Sequence, residues 1–196
     1  MTTLEKELPL EVSEAEDTRP SRLFVEIGTS YNPATFQGRR AFGESDIYIG
    51  FDKDMRTVQQ GKEKNDWVSD RHGKNVFFAA GDGTEMPLKN ESADELYFGN
   101  VFGDPGAERQ EDFHKRLLTE AQRLLRNTGT LIIGETNTPH ELESLTKKLQ
   151  ESGFEVESVL HGADPAWESE MRQYSTPAAR AKYGYCVRAK KIQLKK

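Results

Sequence analysis

Residues 22–31 read RLFVEIGTSY. Leu23, Phe24, Val25 and Ile27 form an apolar run interrupted by Glu26 and stopped by Gly28, Thr29 and Ser30, the pattern of a buried parallel strand running into a turn. Residues 46–54, DIYIGFDKD, repeat that pattern and end around Asp52. Residues 76–83, VFFAAGDG, repeat it again and end around Asp82. Three predicted strands therefore each deliver a carboxylate at the C-terminal end, which is where open α/β sheets bind their ligands.

The rest of the chain fits an alternation of strands and helices. A helix is expected over 55–64, with Asp54 better suited than Asp52 to cap it. SADELYF, 92–98, enters a fourth strand whose tip, 99–105, reads GNVFGDP. The clearest helix spans 108–126, where Phe113, Leu117, Ala121, Leu124 and Leu125 recur at three- and four-residue spacing. NTG at 127–129 is expected to end it, before a fifth strand over 130–135. TPHE at 138–141 has the form of a capping box with proline at the first helical position, so a further helix is expected to run to Gly153. A sixth strand over 154–160 and a closing strand over 183–189 complete the reading. Residues 1–20, rich in Glu, read as a mobile leader or short helix, and residues 21–196 as a single domain.

Composition excludes several classes. A formal charge of −6 gives no general attraction to nucleic-acid phosphates or anionic membranes. The single cysteine, Cys186, permits no internal disulfide, and the scattered histidines offer no metal cluster. The sequence has no apolar run of membrane-spanning length and no secretion signal, so the expected compartment is the cytoplasm.

Taken together, the motifs Glu26-Ile27-Gly28, GFD at 50–52, GDGTEMPL at 81–88 and LLTEAQRLLRNTGTLII at 117–133 resemble the successive motifs of class I S-adenosylmethionine (SAM)-dependent methyltransferases. The resemblance covers roughly residues 23–159. It implies an α/β, Rossmann-like three-layer sandwich with a mostly parallel seven-stranded sheet and an antiparallel final strand. It also implies SAM as cofactor, met by Glu26, Gly28, Thr29 and Ser30 after the first strand, by Asp52 and Lys53 after the second, by Asp82 and Gly83 after the third and by Asn100 after the fourth. On this resemblance Asp52 accepts hydrogen bonds from ribose hydroxyls and Asp82 from the adenine amino group. Phe102, Asp104 and His161 are the candidate substrate contacts.

The residues leave two functions open. One is a methyltransferase acting on a small molecule, with RNA or protein as further acceptor classes; the other is a protein of the same fold that has lost catalysis and serves as a binding module or scaffold. The glycine-rich turn usual after the first strand here holds Ser30 and Asn32, which favours the second reading; three acids converging at one sheet edge favour the first. A dinucleotide fits poorly, because Glu26 would repel a diphosphate but suits the cationic SAM. No motif names a catalytic base among His72, His114, His140, His161 and Glu135.

Overall fold

The computed structural model describes residues 21–29, 45–63, 75–102, 111–135, 142–161 and 184–192. The expected leader, Ser30, Asn32, His72, Asp104 and His140 lie outside the described residues.

The strands are β1 (Leu23–Ile27), β2 (Ile47–Asp52), β3 (Val76–Ala80), β4 (Ala93–Gly99), β5 (Leu125–Glu135), β6 (Phe154–His161) and β7 (Tyr185–Lys191). The described helices are α1 (Met55–Glu63), α2 (Glu111–Leu124) and α3 (Leu142–Glu151). All seven strands form one sheet in the order β3-β2-β1-β4-β5-β7-β6. The first five pair in parallel, and β7 inserts antiparallel to both β5 and β6. This is the mostly parallel Rossmann-like sheet with an antiparallel final strand.

Strand alternation explains the core. Val25, Leu96, Leu131 and Ala189 lie in register across four strands, with Ile27, Phe98, Ile133 and Val187 in the next row. These rows share one hydrophobic cluster with Leu117, Leu118, Ala121 and Leu124 of α2 and Leu145 and Leu149 of α3. Helical spacing of three and four thus meets strand spacing of two, and both faces are apolar. On the opposite face Phe24, Tyr48, Val76 and Phe78 pack with Val58 of α1 in a second, smaller cluster.

Two expectations are corrected here. The long helix was expected to reach 126 and the fifth strand to begin at 130. Instead α2 ends at Leu124, and Leu125 already belongs to β5, fully buried and in register with Ala93. Long-range pairing with β4 overrides the helical pattern, which continues one apolar residue too far. The closing strand was expected over 183–189; β7 runs to Lys191, because Lys190 and Lys191 still find partners on β6.

Candidate functional site

β1 is the point from which strand order runs outward in both directions, through β2 and β3 on one side and β4 and β5 on the other. Such a switch point leaves a crevice at the C-terminal strand ends. The turn after β1 is drawn onto the neighbouring strands. The N–H groups of Gly28 and Thr29 both donate to the Phe51 carbonyl, at 3.0 and 3.2 Å. Gly28 has φ +75°, and a Cβ there would lie 2.8 Å from both the Gly99 oxygen and Val101 Cγ2. Glycine is required on both counts.

The acids at the neighbouring tips are set by local turns. Asp52 Oδ1 accepts the Asp54 N–H at 2.9 Å, while Asp54 caps α1 by accepting the Arg56 N–H at 2.9 Å and the Thr57 hydroxyl at 3.3 Å. Capping thus falls to Asp54, as its position suggested. Asp82 Oδ1 accepts both the N–H and the hydroxyl of Thr84, each at 2.8 Å, so Oδ2 takes no part in that turn. The Thr84 N–H bond lowers the pKa of the exposed Asp82, which stays ionised as an acceptor. Gly83 sits tight against the protein itself: a Cβ there would lie 2.9 Å from Ile27 Cγ2. Asn100 follows β4 with φ +53° and donates its N–H to the Gly134 carbonyl at 2.8 Å; Lys53 and Asn100 are both exposed.

Glu26 is 1 % exposed, and its Oε2 accepts the Tyr48 hydroxyl at 2.9 Å. Burial, reinforced by the Glu26 charge, pushes the Tyr48 phenol well above its ordinary pKa. Tyr48 also lies 3.1 Å from Thr29 Oγ1. The expected substrate side differs from the sequence reading at Phe102. That residue is 2 % exposed, its ring 5.7 Å from Phe98 and 4.9 Å from His114, and its N–H donates to Glu135 Oε1 at 2.8 Å. Phe102 is therefore packed in the core cluster, its ring against Phe98 and His114 and its N–H held by Glu135. His114 is buried as well, with Nδ1 3.3 Å from Lys148 Nζ. Phe102, His114, Leu145, Lys148 and Tyr185 line a narrow crevice between the helices and the sheet. His161 ends β6 in register with Tyr185.

Two contributors escaped the sequence reading. Tyr48 hides inside an apolar run, its only signal being Gly50 two residues on, which leaves space on the same face of the strand. Arg123 clamps the segment after Asp82: it donates to the Met86 and Leu88 carbonyls and to Glu120, whose Oε1 accepts the Met86 N–H at 2.7 Å.

The arrangement suits a ligand with hydroxyl, amino and cationic groups. Acceptors dominate the tips, Asp52 and the ionised Asp82 among them, so the residues present fit SAM. No protein-family model matches the chain, and no curated protein matches its sequence. Solved structures do resemble it. A SAM-dependent methyltransferase from Methanosarcina mazei is 12% identical over 90% of this chain and 95% of its own, at a TM-score of 0.63. One from Aquifex aeolicus is 17% identical, over 86% and 81%, at 0.60. A geranyl diphosphate C-methyltransferase from Streptomyces coelicolor, solved with S-adenosyl-L-homocysteine, is 11% identical, over 88% and 74%, at 0.60. The sheet order and these neighbours together show that this chain has the Rossmann-like fold of the class I SAM-dependent methyltransferase superfamily.

Proposed function

We propose that the protein is a SAM-dependent methyltransferase acting on a small-molecule acceptor. The observation that carries this reading is the placement of Glu26, Asp52 and Asp82 at the adjacent C-terminal ends of β1, β2 and β3, beside the switch point. A fold alone supports many functions. Each carboxylate has a local partner, the Tyr48 hydroxyl for Glu26, the Asp54 N–H for Asp52 and Thr84 for Asp82. Together the three strand ends put negative charge where a cationic ligand gains from it.

The roles follow from the chemistry. Asp52 accepts hydrogen bonds from ribose hydroxyls, a charge-assisted contact. Asp82, ionised and with Oδ2 outside its own turn, accepts from the adenine amino group. Glu26 supplies negative charge behind the turn that meets the amino-acid end, and Thr29 and Asn100 border that turn. Bound SAM supplies an already activated methyl group, so the protein's contribution is orientation and exclusion of water. The net negative charge favours a small acceptor over RNA. The one cysteine, buried in β7, accords with a reducing compartment such as the cytoplasm.

Calorimetric titration with SAM and S-adenosylhomocysteine tests the reading. Micromolar binding of both is expected, with Asp52→Ala and Asp82→Ala each weakening it about tenfold or more, the loss of one charge-assisted hydrogen bond. No heat from either compound in folded protein, or undiminished affinity in both variants, would transfer the case to the binding-module reading.

A further inference from the structure

We infer that Tyr48 is a positioning residue for the turn after β1, its hydroxyl bridging Thr29 and Glu26 so that this turn is held ready for the amino-acid end of the ligand. The ligand half of this inference rests on the methyltransferase reading; the bridge itself does not.

The bridge has a direction. Tyr48, 1 % exposed, has one phenolic proton, and its oxygen lies 2.9 Å from Glu26 Oε2 and 3.1 Å from Thr29 Oγ1. The carboxylate is the stronger acceptor, so Tyr48 donates to Glu26 and the Thr29 hydroxyl donates to Tyr48. Thr29, itself 1 % exposed, is thereby fixed in one rotamer. The raised phenol pKa keeps the donor proton in place across ordinary pH.

Gly50 makes the approach possible. It pairs with Glu26 in the β1–β2 register, and a Cβ at Gly50 would lie 3.0 Å from Thr29 Oγ1 and 2.9 Å from the Phe78 ring. With no side chain there, the Thr29 hydroxyl reaches down to Tyr48 beside Phe78. β2 therefore holds the turn twice, through the Phe51 carbonyl on the Gly28 and Thr29 amides and through the Tyr48 phenol on the side chains. The backbone bonds fix where the chain bends; the side-chain bridge fixes the buried Thr29 and Glu26 side chains on either side of that bend.

Tyr48→Phe removes one oxygen and keeps the ring that packs edge-on to Phe78. Hydrogen exchange on the ligand-free protein is expected to show about tenfold less protection at the Gly28 and Thr29 amides, with Val25 unchanged. Unchanged protection at Thr29 would overturn the inference whether or not the protein binds SAM. In titrations, Tyr48→Phe and Thr29→Val are each expected to bind S-adenosylhomocysteine about tenfold more weakly, while methylthioadenosine, which lacks the amino-acid end, binds as before. Thr29→Ser, which keeps the hydroxyl, is expected to match wild type. Equal losses for both compounds would reduce Tyr48 to a fold-supporting residue and overturn the inference. A wild-type protein that binds neither compound would refute the methyltransferase reading and the ligand half with it, the exchange result still deciding the bridge.

Discussion

Replacing Gly28 with alanine tests whether the turn after β1 is built by close approach to β4. Two costs add. At φ +75° an L-residue with a Cβ is disfavoured by about 1–2 kcal/mol. The new Cβ would also sit 2.8 Å from the Gly99 backbone oxygen and from Val101 Cγ2, and forcing atoms into a packed site costs about 1–3 kcal/mol. Restricting the unfolded chain returns about 0.4–1 kcal/mol. The expected net destabilisation is about 1–4.5 kcal/mol, a large share of the about 5–15 kcal/mol typical of a folded domain. For a chain of this size that lowers the Tm by roughly 2–18 °C. Gly83→Ala is the control. Gly83 is not among the described glycines at positive φ, so its added Cβ, 2.9 Å from Ile27 Cγ2 and 3.4 Å from Leu117 Cδ1, would bring overpacking without the backbone cost. It should cost at least about 1 kcal/mol less than Gly28→Ala, since only the overpacking penalty applies. Urea unfolding followed by circular dichroism measures both, with the slope unchanged. A Gly28→Ala protein within about 0.5 kcal/mol of wild type, the scatter of an ordinary surface substitution, would refute the argument, as would a costlier Gly83→Ala.

Two further expectations concern the scaffold around the tips. Arg123→Ala should cost about 1–3 kcal/mol by leaving Glu120 and the Met86 and Leu88 carbonyls without their shared donor, and should speed exchange at the Met86 amide; unchanged exchange there would refute the clamp. The same pair predicts a pH dependence. Burial raises the Glu120 pKa, but the Arg123 and Met86 bonds outweigh it, so its folded value is lowered, as is that of Asp82 through the Thr84 N–H. A depressed folded pKa contributes stability above the unfolded value, near about 4, which is lost as pH falls through the folded one. The Tm should therefore drop below about pH 4, and Glu120→Gln should flatten that drop; a variant with the wild-type acid profile would refute it. Cys186, 2 % exposed in β7, should react with a thiol reagent only as fast as the sheet opens, so modification in native buffer at the rate seen in urea would contradict the placement of β7.

Much of this molecule was legible before any coordinates, because its signals are local. The apolar runs ending in Glu26, Asp52 and Asp82 mark three strand ends, the spacing of Leu117, Ala121 and Leu124 marks a helix, and Asp54 marks its own capping role; each depends on residues within a few positions of one another. What depended on residues far apart in the chain was not legible. The order of β7 between β5 and β6, the strand pairing that takes Leu125 from the helix, and the burial of Phe102 against Phe98 and His114 are all set by contacts between residues distant along the chain. So is the Thr29–Tyr48–Glu26 bridge: the tyrosine reads as one more apolar residue until β1 and β2 align in register and Gly50 leaves room for a hydroxyl. Periodicity is written along the chain, whereas register and hydrogen-bond partners exist only once the strands lie side by side, and it is at that level that three separate carboxylates become one candidate site.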